Sequence, residues 1–138
     1  MLKKIISNKT IINTAAISFT LFILWVICTA DTGGTIVFVK MIKFLPYPDK
    51  FGHFFLFGIL AMLLNMALMF KTTQIFKHSI YTGSVLVFVF AILEELSQGF
   101  LPTRSMDHLD VFADALGIML FTVITNYLKN RKTLTEGL

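Results

Sequence analysis

Four stretches of roughly 20 predominantly apolar residues constrain this chain more than any other feature. They cover about 11–30, 51–70, 80–99 and 108–128. A hydrocarbon core about 30 Å thick needs roughly 20 such residues in a helix, so each stretch is long enough to cross a bilayer. Inside lipid every backbone polar group must be satisfied within the segment, which leaves helices as the structure for runs of this kind. The expectation is an all-α polytopic membrane protein, a bundle of four transmembrane helices formed by residues 1–138 as one domain. Composition agrees. Hydrophobic residues make up 56% of the chain and charged residues 14%, where a soluble domain carries roughly 25% charged. A chain of 138 residues cannot hide that much apolar surface in its own core, so lipid is its main partner.

The net charge of +4 is no nucleic-acid signature, because the basic residues gather at the ends of the apolar runs. Lys and Arg number three before the first run, two between the second and third, and three after the fourth. The other two connections hold Lys40, Lys43, Lys50 and Arg104. The positive-inside rule then puts both termini in the cytoplasm, in a multi-pass protein of a bacterial inner membrane. The first run is too long for the h-region of a signal peptide. The single cysteine, Cys28, rules out an intrachain disulfide.

Breakers divide the rest. Gly33-Gly34 and Pro46-Tyr47-Pro48 mark the first connection, with a short interfacial helix expected over 38–45 and Asp49 expected to cap the second span. A short polar connection follows at 71–78. Pro102 ends the third span, and a tight turn over 103–106 leads to the fourth.

Against this apolar background the acids are unevenly placed. Six of the eight fall in two places: Asp49 at the start of the second span, and Glu94, Glu95, Asp107, Asp110 and Asp114 around the turn between the third and fourth. The topology brings both places, with Lys50, His53, Gln98 and Arg104, to one side of the membrane, the outer one. Charged groups at bilayer depth are costly and usually face a protein interior or a wet cavity. Asp107, Asp110, Asp114 and Gly117 recur at helical spacing and form one seam that Phe121 and Ile124 continue. Glu95 and Gln98 share a face, as do Asp49 and His53. Glu94 is turned about 100° from Glu95 and is expected at the rim.

Carboxylates that share a low-dielectric site titrate at separated values, which suits acid–base chemistry. Glu95 and Asp110 are the candidate catalytic pair, with His53 for proton transfer. Lys50 and Arg104 are candidates to hold a phosphate or carboxylate, and Asp49, Gln98 and Asp114 complete the ligand-binding set. A divalent metal is a further option, with His53, Glu95, Asp110 and Asp114 as its ligands. The competing reading is structural: Asp49 caps a helix, Arg104 pairs with Asp107 or Asp110, and Gln98 bonds across the bundle of a scaffold or partner protein. A transporter fits less well, since the polar residues crowd one end.

The pattern Asp49-Lys50-x-x-His53, Glu95-Leu96-Ser97-Gln98, Arg104 and Asp110-x-x-x-Asp114-x-x-Gly117 resembles the VanZ-like family of small bacterial membrane proteins, over about residues 48–120. Asp114 stands where that family often has Asn. The resemblance implies a cell-envelope role and a shared polar site, with a lipid-linked or peptidoglycan-related ligand. Because the family's namesake is associated with low-level resistance to teicoplanin, it also implies a link to glycopeptide tolerance.

Overall fold

The computed structural model describes residues 8–34, 40, 41, 44 and 46–136. Four helices carry the fold: α1 (Lys9–Asp31), α2 (Pro48–Ala67), α3 (Thr82–Gln98) and α4 (His108–Glu136). A two-stranded hairpin, β1 (Thr72–Ile75) and β2 (His78–Tyr81), joins α2 to α3. The interfacial helix expected over 38–45 falls largely outside the described residues.

Among the described residues three helices are long and apolar enough to cross a membrane: α1, α2 and the first 24 residues of α4. Large apolar side chains such as Ile17, Leu21, Trp25, Phe112, Met119 and Val123 cover their outward faces. That is the surface a lipid-embedded helix presents, since hydrocarbon gives no penalty for exposing it. At 17 residues α3 is the short one, about 26 Å long. The hairpin takes the residues before it. The apolar pattern predicts a short polar connection at 71–78 and a span from 80. Thr72, Thr73, Ile75, Ile80 and Tyr81 are instead β-branched or aromatic residues suited to a pleated ladder. Ile75 pairs with His78, so Phe76-Lys77 is a two-residue turn. Phe76 adopts a left-handed backbone (φ 53°), the handedness such hairpin turns favour.

The start of each helix has a local cause. Asn8 caps α1 by accepting from the N–H groups of Thr10 (3.1 Å) and Ile11 (3.4 Å). Asp49 does not cap α2, contrary to expectation. Pro48 occupies the first turn, where its missing N–H costs nothing, and Tyr47 stands before it without a side-chain cap. Asp49 keeps the favourable place of an acid in the first turn. At α4 the carboxylate of Asp107 accepts from Leu109 N–H at 2.9 Å.

Helices α2 and α4 make the most extensive contact in the molecule. Two glycines allow it. A Cβ on Gly117 would overlap the carbonyl of Phe54, and one on Gly58 would meet the Phe121 ring and the Gly117 carbonyl. Small residues let membrane helices approach to backbone contact. Ile23, Phe57, Leu60, Ala61, Val87, Ala91 and Ile118 form the core around this crossing. The α4 seam runs through Asp110, Asp114, Gly117, Ile118 and Thr125. Ile124, expected in it, faces outward at 36% exposure, because a 3.6-residue period advances the stripe to Thr125. At the hairpin end, Asn65 and Gly83 lock α2 to α3. Asn65 Nδ2 donates to Ser84 Oγ (2.8 Å) and its Oδ1 accepts from Ser84 N–H (2.9 Å).

Candidate functional site

On the other side of the glycine crossing, α2, α3, α4 and the 99–107 connection bring the predicted polar residues together. They form three groups with different partners.

Lys50 anchors the first group. Its Nζ lies 2.6 Å from Asp107 Oδ2, 2.9 Å from Asp110 Oδ1 and 3.4 Å from Asp49 Oδ2. One turn into α2, the lysine reaches across to the start of α4 and balances three carboxylates. The ammonium and the Leu109 N–H together hold the Asp107 carboxyl below its ordinary value. Arg104 pairs with neither Asp107 nor Asp110, since Lys50 already occupies both.

His53 carries the second group. Its Nδ1 is 3.1 Å from Asp114 Oδ1, and its Nε2 is 3.9 Å from Asp110 Oδ2. The second distance is too long for a hydrogen bond. The ring stacks on Phe57, with centroids 5.7 Å apart and planes within 4°. Asp114 has no solvent exposure, so its carboxylate and the stacked ring fix the imidazole from two sides.

The third group is a chain through Gln98. Gln98 Nε2 donates to Glu94 Oε1 at 2.7 Å, and Gln98 Oε1 accepts from Arg104 Nε at 3.4 Å. Glu94 is therefore buried in the site, at 7% exposure, and not at the rim as the helical wheel suggested. The wheel treated α3 as touching one neighbour. It packs against both α2 and α4, so adjacent positions 94 and 95 both turn inward, toward different helices. Glu95, 2% exposed, accepts the backbone N–H of Asp107 and ties α3 to the start of α4. The tight turn spans 101–104, two residues earlier than expected, with Arg104 N–H bonded to Leu101 O.

A cavity of about 220 Å³ opens beside the second and third groups. Phe22, Ile23, Val26, Ile27 and Ala30 of α1 form one wall, and Pro48, Gly52, Leu56 and Phe57 of α2 face them. Asp49, His53, Glu94 and Arg104 supply its polar lining. Lys50, Glu95, Gln98, Asp110 and Asp114 are not among its lining residues. Sequence reasoning missed the α1 wall, because that helix carries no polar signal, and it missed Glu94. The one available clue to Glu94 was its i, i+4 spacing to Gln98. Among the described residues, one oxygen each of Glu94, Glu95 and Asp114 is buried without a hydrogen-bond partner.

The metal set expected from the sequence does not fit a metal ion here. Among the described residues, no three His, Cys, Asp or Glu side chains are grouped to hold one. His53 Nδ1 faces Asp114, Asp110 Oδ1 faces Lys50 and Glu95 Oε1 takes a backbone N–H, so the donors are turned to separate partners.

No curated protein and no solved structure matches the chain. The model of the VanZ/LLP1 family matches residues 7–129. That match takes in α1, and with it the apolar wall of the cavity, as well as the polar residues of α2, α3 and α4. The chain is therefore a membrane protein that belongs to the VanZ/LLP1 family.

Proposed function

We propose that this protein binds an amphiphilic membrane ligand in the cavity between α1 and α2, and that His53 performs proton transfer at the ligand's headgroup. The observation that carries this reading is the cavity's two-sided lining. Side chains of α1 and α2 make an apolar slot suited to a hydrocarbon chain, and Asp49, His53, Glu94 and Arg104 make a polar end suited to a headgroup. Ligand sites are commonly apolar clefts with a few convergent polar groups. A volume of about 220 Å³ lies below the roughly 300–1,000 Å³ of drug-sized sites, so the slot takes only the headgroup-proximal segment of a single chain.

The contact between His53 Nδ1 and Asp114 is the arrangement by which a buried carboxylate orients a catalytic imidazole. A proton on Nδ1 serves that contact and leaves Nε2 as the exchanging nitrogen. Glu95 and Asp110, the pair favoured by sequence, have positioning roles in this reading: Glu95 holds the start of α4 and Asp110 faces Lys50 and His53.

The wider setting belongs to the same proposal. Four spans with cytoplasmic ends put the polar end of the cavity at the outer leaflet of the inner membrane. Lipid-linked cell-envelope precursors present their headgroups there, and glycopeptide tolerance is the phenotype such a role would touch. A purified sample carrying a photoactivatable lipid chain tests the core of the reading. Cross-links are expected at Phe22, Val26 and Leu56, and Gly52→Leu should abolish them. Cross-links spread evenly over the lipid-facing surface, and indifferent to Gly52→Leu, would overturn it. His53→Gln should keep the cross-link and lose turnover and phenotype.

A second reading, a non-catalytic scaffold, draws on the Lys50 and Glu95 contacts, which join helices without facing the cavity. It requires His53→Gln to lose folded protein along with function.

A further inference from the structure

We infer that the headgroup taken by the cavity is zwitterionic: an anionic phosphate or carboxylate held by Arg104, and within a few bonds of it an ammonium that donates to Glu94. This rests on the reading that the cavity holds an amphiphile, and it names that ligand's chemistry.

Besides Asp49 and His53, the polar end of the cavity offers one carboxylate, Glu94, and one guanidinium, Arg104, and the amide of Gln98 holds these two side by side. Gln98 Nε2 donates to Glu94 Oε1 at 2.7 Å, and Gln98 Oε1 accepts from Arg104 Nε at 3.4 Å. With Gln98 itself almost fully buried, the amide sets the spacing between carboxylate and guanidinium. Neither charge is used up by this contact. The Oε2 of Glu94 is buried with no hydrogen-bond partner among the described residues. Leaving a buried acceptor unpaired is costly, so this oxygen is open to a donor from the cavity. Among the described residues the guanidinium of Arg104 bonds only through Nε, to Gln98, and its terminal amino groups are suited to a fork on phosphate or carboxylate oxygens.

The other charged groups nearby cannot take these roles. Lys50 is held by Asp49, Asp107 and Asp110 and does not line the cavity. Asp49, which does line it, already faces Lys50 at 3.4 Å. A purely anionic headgroup would satisfy Arg104 and crowd Glu94. A purely cationic one would do the reverse. A headgroup with both satisfies the pair, and the α1–α2 slot takes the chain attached to it.

The experiment compares an alkyl phosphoethanolamine with the alkyl phosphocholine of the same chain, each added to detergent-purified full-length protein, with the dissociation constant read from ligand-dependent thermal stabilisation. The two differ in that the choline nitrogen has no N–H to donate. Phosphoethanolamine should bind at least about tenfold tighter, the scale of a hydrogen bond to a charged group. Glu94→Gln should reduce that preference to about threefold or less, and Gly52→Leu should remove binding of both lipids. Equal affinity of the wild-type protein for the two lipids would overturn the zwitterion assignment while leaving the cavity reading standing. Failure of both lipids to bind, with Gly52→Leu indistinguishable from wild type, would overturn both. The lipid comparison on the unmodified protein decides the matter even if Glu94→Gln does not fold.

Discussion

At the scale of single residues, the polar cluster divides by what each side chain touches. Lys50 meets three carboxylates, so Lys50→Met leaves Asp107 and Asp110 without their cation. Expected destabilisation is about 1.5–3 kcal/mol, the range for hydrogen bonds to charged groups, measured by thermal unfolding in detergent. Asp107 has a folded pKa below its ordinary value of 3.8. A depressed carboxylate stabilises the fold above its unfolded value, and that contribution disappears as pH falls through the folded value. The stability gap between wild type and Asp107→Asn should therefore hold steady from neutral pH down to about pH 4 and close in stronger acid. A gap that persists undiminished there would show that the charge on Asp107 is not what stabilises. Glu94 shows how burial overrides the helical wheel. Its angle from Glu95 predicts a rim position, yet a helix packed on two sides buries two adjacent positions.

At the scale of elements, glycines separate the close contacts from the cavity. Gly117 lies against the Phe54 carbonyl, and Gly58 against Phe121 and Gly117. Gly117→Ala forces α2 and α4 apart at their main contact and should cost about 1–3 kcal/mol or more. It should also weaken the His53–Asp114 contact, since both residues sit within two turns of the crossing. Gly52 is the opposite case, with nothing within 4 Å of where a Cβ would stand. In a helix interior, Gly→Ala is worth roughly 0.5–1 kcal/mol, so Gly52→Ala should raise thermal stability while narrowing the cavity. Equal effects of the two substitutions would contradict the packing described. The hairpin is the element that hydropathy hid, because Ile80 and Tyr81 add as much apolar character to a strand as to a helix.

At the scale of the whole molecule, orientation decides which compartment the polar end meets. The distribution of Lys and Arg predicts both termini in the cytoplasm. A reporter at the C-terminus that is active only in the cytoplasm should be on, and one inserted at Ser105 and active only outside should also be on. The reverse pattern would place the polar end of the cavity at the inner leaflet. With α3 at 17 residues, about 26 Å, the bilayer around it is expected to thin or the helix to rely on its neighbours. Cysteine accessibility along 80–99 checks this.

Hydrophobic run length determined that this chain is helical and lies in a membrane, because lipid leaves a 20-residue apolar segment no other way to satisfy its backbone. Periodicity determined that Asp110, Asp114 and Gly117 share a face, because 3.6 residues per turn is a local property. Which acid meets which base is not local. Lys50 took the partners expected for Arg104, Glu95 turned to a backbone N–H, and Glu94 joined the cavity wall, each by the angle and depth at which helices cross. Only tertiary packing decides that, through contacts at Gly58 and Gly117 between segments about 60 residues apart. The α1 wall is the clearest case. Its residues carry no chemical signal of their own, and they become part of a site only where α1 leans on α2 beside His53.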